Sequence, residues 1–516
     1  MCGIVGFTGR ENALPILIKG LYSLEYRGYD SAGVAAFTKD GLRVVKARGR
    51  IANLEEKIKE EGGNMYCTCG IGHTRWATHG EPSDRNSHPH LGGKGKVAVV
   101  HNGIIENYKE LRERLEAHGY EFKSETDTET VAHLVDYLHT GKQEDLAKTV
   151  LQAVQRLRGS YALGVVSMDN TQEIVAARRG NPLVIGIGEG ENMIASDITA
   201  IINRTKRYII LDDNEVAIVR PDSVVVMNEF GDAVEKEIMT VTWDMSAAEK
   251  GGYQHFMLKE IMEQPKAVAD TVKPRIKNDA VVFEDNGLTD ERLREIEHIH
   301  IIGCGSALHA GMVGKRVIEA MCRIRCTAEV ASEFRYENPI IGKKDMCIVI
   351  SQSGETADTL AAMRLAKQAG AFTIAIVNVV SSTIAREADG VLYTWAGPEI
   401  SVATTKAYSA QLSALYLISV KIARVRGLIS IGDERALCAE LQRLPECIEQ
   451  TLGCQSDMQR IATLYANRSS VFFLGRGLDY AAALEASLKL KEISYIHSEA
   501  YAAGELKHGT ISLIEE

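Results

Sequence analysis

Cys2 is the most reactive residue of this sequence, because it directly follows the initiator methionine in the opening segment MCGIVG. Cysteine is small enough for that methionine to be trimmed, which would leave a thiol and a free α-amino group on one residue. A thiol with a pKa near ~8.5 is mostly protonated at neutral pH, and an α-amine with a pKa of ~7.7–8.0 can take its proton. The segment predicts a nucleophile with its own base; the alternative is a buried cysteine in a short apolar strand.

Four further residues in the first quarter of the chain carry groups that could bind an amino acid or stabilise its reaction. Arg75 has a planar guanidinium that can hold an α-carboxylate through two hydrogen bonds. Asn102 and Gly103 follow the apolar run 97–100, so a side-chain amide and a backbone N–H could converge on a developing oxyanion where a strand ends. Asp127 could accept an α-ammonium group. Taken singly, these residues would be interpreted as a surface arginine, a turn asparagine and a helix cap.

Behind Cys2, this set resembles the N-terminal-nucleophile class of glutaminases, which need a carboxylate clamp, an amine clamp and an oxyanion hole. The resemblance implies that the segment HTRWATHG at 73–80 binds glutamine. Besides its arginine, the segment contributes three candidate glutamine-binding residues, namely Trp76, Thr78 and His79.

The pattern of the chain predicts several domains. Residues 2–240 contain short β-rich runs separated by Gly- and Asn-rich turns, and we expect an α+β layer domain of the N-terminal-nucleophile (Ntn) hydrolase class. Residues 241–285 are expected to be a linker. From about residue 290 the sequence alternates strand, glycine loop and helix, which is typical of a parallel, doubly wound sheet. We expect one α/β domain at 286–430 and a second at 456–516.

The composition excludes several classes of protein. With 516 residues, of which 45% are apolar and 25% charged, the chain has the composition of a soluble globular protein of three or four domains. A net charge of −10 without a dense Lys/Arg run argues against nucleic-acid binding. Neither a signal peptide nor a membrane-spanning run is visible, so we expect a cytoplasmic protein without membrane contact. The ten cysteines are scattered, which predicts neither a disulfide framework nor a zinc site.

Two loops of the second half carry hydroxyl groups where a strand leads into a helix. One is GCGS at 303–306, ending in Ser306, and the other is SQSGET at 351–356. The candidate ligands of the second loop are Ser351, Gln352, Ser353 and Thr356. Helix N-termini favour anions, and neither loop contains a lysine, so a single sugar phosphate is expected rather than a triphosphate. Alternatively, each loop is only a Ser/Thr-rich helix cap.

A third set of residues could move a proton between two carbons of an open-chain sugar. Lys489 and Glu492 are three residues apart, so they share one face of a predicted helix. Glu492 would act as the base and Lys489 would polarise the carbonyl, while His508 could open the sugar ring as an acid or base near neutral pH. The alternative for the Lys489–Glu492 pair is an exposed ion pair of little consequence.

From Cys2 to the last residue, the chain resembles the glutamine–fructose-6-phosphate aminotransferase (isomerizing) family. The resemblance rests on the segments and pairs CGIVG at 2–6, YRGYDS at 26–31, Arg75-Trp76, Asn102-Gly103, Asp127, FMLKEI at 256–261, SQSGET at 351–356 and AAGELKHG at 502–509. It implies that the first domain hydrolyses glutamine, and that ammonia passes through an internal channel to fructose 6-phosphate held by two sugar-isomerase (SIS) domains. The product would be glucosamine 6-phosphate, at the start of amino-sugar biosynthesis.

The resemblance also implies roles for individual residues. Trp76 would gate the channel, and Ser306, Thr404 and the loop 351–356 would hold the sugar phosphate. Lys489, Glu492 and His508 would carry the isomerase step. We expect a homodimer that uses neither a cofactor nor a metal.

Two departures from the family pattern leave alternatives open. Ala307 stands where the family often has a second hydroxyl, so one contact to the sugar phosphate would be lost. The chain ends at Glu516, about 47 residues into a unit that should be longer. The C-terminal lysine that the family uses cannot be assigned in this sequence, so either the sequence is a fragment or the synthase step is impaired. The alternatives are an amidotransferase with another ammonia acceptor and a non-enzymatic regulator that binds phosphosugars.

Overall fold

A computed structural model of the chain forms two compact units, Met1–Met245 and Ser246–Glu516. The structure describes residues 2–25, 28–39, 41–61, 66–76, 80–139, 145–241, 250–283 and 286–514. Within these ranges, none of the helices combines the length and the apolar character needed to cross a bilayer.

Two antiparallel sheets form the first unit. In the described residues, one sheet has eight strands, in the spatial order Met239–Thr240, Arg207–Ile210, Val184–Ile187, Asn192–Ala195, Gly3–Thr8, Cys69–Arg75, Ser31–Thr38 and Gly41–Arg48. The other has seven, in the order Ala233–Val234, Ser223–Met227, Val216–Arg220, Asn170–Arg179, Gly159–Ser167, Val97–Ile105 and His90–Leu91. The strand that follows Cys2 is buried along its whole length, because it lies in the middle of its sheet.

Helices cover the outer faces of these two sheets. Those helices are Ala13–Leu24 and Ile51–Glu60 on the first sheet, and Tyr108–Ala117, Asp127–Leu138 and Leu146–Val154 on the second. Between the sheets, Ile4, Ile71, Val100 and Ile174 are among the apolar side chains that form a dry inner layer. The apolar residues on both faces of each sheet explain this helix–sheet–sheet–helix order, because each face must be buried against another layer. The layered α+β fold expected for this part of the chain is confirmed.

A parallel sheet forms the core of the second unit. Its five strands lie in the order Arg325–Val330, His298–Gly303, Asp345–Ser351, Phe372–Val377 and Gly390–Tyr393 within the described residues. Helices Ser306–Cys322 and Lys406–Val425 pack on one face, and helices Ala357–Gln368 and Thr383–Glu387 pack on the other. Because both faces are covered, the central strands His298–Gly303 and Asp345–Ser351 are buried at every position after the first. The predicted doubly wound α/β sheet is confirmed.

The segment 241–285, predicted as a linker, contains ordered elements that pack within the second unit. These elements are helices Phe256–Met262 and Gln264–Val272 and the hairpin of Ile276–Lys277 with Ala280–Val281. Val268 and Val272 form an apolar cluster with Leu417 and Leu441, two residues of later helices. This part of the segment is therefore attached to the α/β core by buried apolar contacts.

Further helices follow the parallel sheet. Helix Ile431–Leu452 begins at a capping box in which Ser430 and Asp433 bond each other's backbone N–H groups. The last described sheet pairs Ser470–Gly475 in parallel with His497–Ala502, and helix Leu478–Ser494 connects these two strands. The remaining short elements are Ile198–Ala200, Lys273–Arg275, Asp290–Glu295, Ala331–Phe334, Gln455–Tyr465 and Thr510–Leu513.

Candidate active sites

The strand pairing of the first unit brings Cys2 next to Trp76. Gly3, the first residue of its strand, lies opposite Thr74 in the neighbouring antiparallel strand, which ends at Arg75. Cys2, just before the first strand, therefore lies next to Trp76, just after the second. The Cys2 sulfur accepts the Trp76 N–H at 3.3 Å, and its S–H points to the Trp76 carbonyl oxygen at 3.6 Å. Burial raises the pKa of the Cys2 thiol, and the hydrogen bond from Trp76 offsets only part of this effect. The thiol is therefore protonated at neutral pH and needs a base to react.

Asn102 is oriented towards Cys2 by His73, which the sequence analysis did not identify. The Asn102 side-chain N–H donates to the Cys2 carbonyl oxygen at 3.0 Å, and its Oδ1 lies 3.0 Å from His73 Nε2. The same ring nitrogen lies 3.0 Å from the His101 carbonyl oxygen. Because both neighbours are acceptors, Nε2 carries the proton. Burial lowers the pKa of His73 to about 3, so the ring stays neutral and holds the Asn102 amide with its NH2 towards Cys2.

Gly103 occupies a position that other residues would disturb. Its φ is 136°, and an added Cβ would lie 2.1 Å from the Ser160 carbonyl oxygen on the neighbouring strand. A side chain here would therefore push apart the strand that carries Asn102 and its neighbour. Gly103 also borders a small cavity together with Cys2 and Asp127.

Arg75 and Asp127 line this same cavity, as the sequence analysis expected of two groups that hold one amino acid. The Arg75 guanidinium is buried and donates to the Gly80 carbonyl oxygen at 3.0 Å. Asp127 is the first residue of helix Asp127–Leu138, and its Oδ2 accepts the Ile105 N–H at 2.8 Å. The helix cap is Thr126 rather than Asp127, since the Thr126 hydroxyl accepts the Glu129 N–H. The other predicted residues of this segment, Thr78 and His79, lie outside the described residues.

Among the predicted residues around Cys2 that the structure describes, Trp76 is the most exposed. Its side chain is 46% exposed, and its ring meets Tyr29 edge to face with 5.2 Å between the ring centroids. Its backbone N–H faces the Cys2 sulfur. Any movement of the Trp76 backbone would therefore change the hydrogen bond to the thiol.

The buried histidines of this site predict a loss of stability in acid. Burial lowers the pKa of His73 to about 3, and it also lowers the pKa of His88 and His90. Because an unfolded histidine takes up a proton near pH ~6.5 and these folded histidines do not, their stabilising contribution is complete above that pH and is lost as the pH falls below it. For His73 alone, the expected loss of unfolding free energy at pH 5 is about 2 kcal/mol.

Urea unfolding at a series of pH values between 7.5 and 5 measures this effect. Replacing His90 by glutamine, which can keep the hydrogen bond to Thr126, should make the pH dependence shallower. Replacing the exposed His118 by alanine should leave the dependence unchanged. An identical slope in the wild type and in His90→Gln would contradict the prediction.

The predicted phosphate loop 351–356 lies at the carboxyl end of a central strand of the second unit. The Ser351 hydroxyl accepts the Gly354 N–H at 3.0 Å and lies 2.9 Å from the Thr356 hydroxyl. The Ser353 hydroxyl accepts the Glu355 N–H at 3.2 Å, and Gln352 is half-buried beside it. Helix Ala357–Gln368 begins directly after the loop. The loop therefore gathers hydroxyl groups at a helix N-terminus, an arrangement that favours a phosphate group.

Ser306 and Thr404, the other two predicted phosphate contacts, are bonded to carboxylates. The buried Ser306 hydroxyl donates to Glu485 at 2.7 Å, and the Thr404 hydroxyl donates to Glu399. Glu485 is itself buried, lies 2.8 Å from His309 Nδ1, and was missed by the sequence analysis. Its only sequence signal was its position four residues before Lys489 on the same helix face.

Lys489 and Glu492 share one face of helix Leu478–Ser494, as predicted, and they form an ion pair there. Lys489 also lies 3.5 Å from Glu485, so the ammonium group stands between two carboxylates. His508 is exposed in the turn after the last strand, and among the described residues no hydrogen bond or ion pair joins its side chain to Lys489 or Glu492. The structure therefore brings the lysine and the glutamate together but does not bring His508 into contact with them.

A cavity of about 390 Å³ lies near these residues, between Gly305, His309, Lys491 and Tyr501. None of the residues predicted to bind the sugar phosphate or to carry the isomerase step lines it. The cavity is therefore distinct from the phosphate loop 351–356.

Comparisons with known proteins identify one domain family for the first unit and another for the second. A model of the glutamine amidotransferase domain matches residues 73–203, and a model of the SIS domain matches residues 292–421 and 464–516. The glutamine–fructose-6-phosphate aminotransferase (isomerizing) of Caldanaerobacter subterraneus subsp. tengcongensis is 55% identical over 517 residues, which cover 100% of this chain and 84% of that protein. The enzyme of the same name from Clostridium tetani is 54% identical with the same coverage.

Among solved structures, the C-terminal domain of glucosamine-fructose-6-phosphate aminotransferase from Francisella tularensis aligns with a TM-score of 0.50 at 39% identity. The alignment covers 52% of this chain and 75% of that one. The identity of the two relatives extends over the whole of this chain, including both units and both candidate sites. The chain belongs to the glutamine–fructose-6-phosphate aminotransferase (isomerizing) family.

Proposed function

We propose that this protein hydrolyses glutamine at Cys2 and transfers the ammonia to fructose 6-phosphate, giving glutamate and glucosamine 6-phosphate. The observation that carries the proposal is the set of contacts around the Cys2 thiol. Trp76 donates to the sulfur, and the Asn102 amide, held by His73, faces the same residue. These contacts support the assignment of Cys2 as the nucleophile and of Asn102 as a donor to the developing oxyanion.

In the first reaction, the α-amine of Cys2, freed by removal of Met1, takes the thiol proton while the sulfur attacks the side-chain carbonyl carbon of glutamine. The second N–H of the Asn102 amide and the backbone N–H of Gly103 stabilise the oxyanion. The amine then gives its proton to the leaving nitrogen, so that ammonia departs and a thioester remains. Water hydrolyses the thioester to glutamate. Arg75 and Asp127 hold the α-carboxylate and the α-ammonium of the substrate, and the family resemblance assigns Thr78 and His79 to the same ligand.

In the second reaction, the loop 351–356 holds the phosphate of fructose 6-phosphate, with Ser306 and Thr404 as further contacts. His508 opens the ring, and ammonia adds to the carbonyl carbon with loss of water. Glu492 then moves a proton from C1 to C2, while Lys489 polarises the reacting group. The ion pairs that Lys489 forms with Glu485 and Glu492 support a fixed position for this ammonium.

The two reactions need a protected route for ammonia. We assign the gate of an internal channel to Trp76, because its backbone contacts the thiol while its ring stays largely exposed. We further propose that the protein works in the cytoplasm as a homodimer. The compartment and the oligomeric state are proposed from the family resemblance.

A product assay tests the proposed function. The purified protein is incubated with glutamine and fructose 6-phosphate, and glutamate and glucosamine 6-phosphate are quantified together. We expect both products to form in equal amounts. Glutamate without the amino sugar would indicate another ammonia acceptor, and binding of the sugar phosphate without either product would indicate a regulator.

A further inference from the structure

Two histidines and an aspartate meet at the amino-terminal edge of the parallel sheet. His298 and His300 alternate along strand His298–Gly303, so their side chains lie on one face. Asp345 begins the neighbouring parallel strand directly opposite His298, and its side chain therefore lies on that same face. One ring nitrogen from each histidine and a carboxylate oxygen of Asp345 all lie within 4.8 Å of one another.

His300 is arranged as a ligand rather than as an ordinary core residue. Its ring is buried, and Nδ1 lies 3.1 Å from the Thr327 hydroxyl and 3.3 Å from the Glu329 carboxylate. These acceptors hold the proton on Nδ1, so Nε2 presents a lone pair. Nε2 has no hydrogen-bond partner in the described part of the chain and lies 3.7 Å from Asp345 Oδ2. A buried nitrogen left in this state costs free energy unless something occupies its lone pair.

His298, which is less buried than His300, also has a ring nitrogen without a hydrogen-bond partner in the described residues. This nitrogen is Nε2, and the ring lies 4.0 Å from that of His300 between centroids. Asp345 Oδ2 accepts the Gly342 N–H at 2.6 Å, which fixes the carboxylate and leaves it further lone pairs. One ring nitrogen of each histidine thus lies within 4.8 Å of a carboxylate oxygen of Asp345, and the Gly342 N–H holds this carboxylate in place.

We propose that His298, His300 and Asp345 form a binding site for a divalent first-row transition metal such as Zn²⁺. Two imidazole nitrogens and one carboxylate oxygen are a ligand set that suits this class of ion, with water completing the coordination. Glu329, hydrogen-bonded to the far nitrogen of His300, supplies the outer carboxylate that commonly orients a metal-binding histidine. Zinc ligands lie roughly 3.4 Å apart in a tetrahedral site, so the side chains must close by about an ångström on binding.

The position of the cluster indicates a structural role. The two strands that begin at His298 and Asp345 end at the loops that carry Ser306 and Ser351. Five to six residues of extended chain separate the two edges by roughly 17–20 Å, so a metal at the cluster does not reach the sugar site. A metal ion would instead join the starts of two central strands and stabilise the sheet.

Zinc binding to the whole protein tests the proposal. Cys2→Ala serves as the parent, because the reactive thiol could itself take up zinc. Equilibrium dialysis against ZnCl₂, followed by elemental analysis, should give close to one zinc ion per chain, and Zn²⁺ should raise the melting temperature. Asp345→Asn and His298→Gln in this parent preserve side-chain shape and should weaken zinc binding by about tenfold or more.

The variant His497→Ala, which removes an exposed histidine of the same unit, is the matched control and should bind zinc like its parent. Circular dichroism and melting curves without metal establish that each variant is folded. The proposal is wrong if the parent binds no zinc, or if Asp345→Asn and His298→Gln bind it as tightly as the parent. Because Cys2→Ala removes the glutaminase nucleophile, this result does not depend on the proposed enzymatic function.

Discussion

We expect Cys2→Ala to abolish glutamate release from glutamine and to leave binding of fructose 6-phosphate intact. Alanine is also small enough for removal of Met1, so the variant keeps the α-amine and loses only the thiol. Without the sulfur no thioester can form, and the expected loss in kcat is on the order of a thousandfold or more. Glutamate release is measured by an enzyme-coupled assay, and binding of the sugar phosphate is measured by calorimetry.

Cys454→Ala is the matched control, because it removes an exposed thiol of the second unit. It should retain the full rate of glutamate release. Mass spectrometry of each variant verifies that Met1 has been removed. If Cys2→Ala still released glutamate at the wild-type rate, both the nucleophile and the mechanism built on it would be wrong.

Glu492→Gln is expected to have the opposite effect to Cys2→Ala. It should retain glutamate release and lose the isomerase step. Glutamine has nearly the same shape as glutamate but cannot accept a proton, so the transfer between C1 and C2 of the sugar loses its base. Loss of general-base catalysis typically lowers a rate by roughly 10²–10⁴-fold, and we expect a decrease in that range. Exchange of the C1 proton of fructose 6-phosphate with deuterated solvent, followed by NMR, measures the step directly.

Glu446→Gln, an exposed carboxylate on helix Ile431–Leu452, is the matched control and should exchange the proton like the wild type. The ion pair with Lys489 offers a second check, because Glu492→Gln removes the charge that this ammonium contacts. A change only in the binding constant for fructose 6-phosphate, with the exchange rate preserved, would show that Glu492 holds the substrate and is not the base. Equal exchange in Glu492→Gln and in the wild type would remove Glu492 from the mechanism.

The features that could be predicted from the sequence are those whose chemistry is local. Cys2 could be proposed as a nucleophile because its reactivity depends on residue type and on its place in the chain. The glycine loop at 351–356 was recognisable because a strand, a turn and a helix follow one another directly. Arg75 and Asp127 were predicted to hold one ligand, and the structure places both beside Cys2. The layered first half and the doubly wound second half also followed from local hydrophobic patterning.

The contacts between distant segments were decided only by the tertiary structure. His73 holds Asn102 because two strands from separate sheets bring their side chains together, and no spacing in the sequence encodes that meeting. From the sequence alone, Glu485 would be expected on the surface, whereas in the structure it is buried and accepts a hydrogen bond from Ser306. Sequence alone determined which groups can react and which local elements carry them. Strand pairing and burial decided which side chains contact each other and which buried nitrogens have no hydrogen-bond partner among the described residues. Such contacts depend on residues that are far apart along the chain.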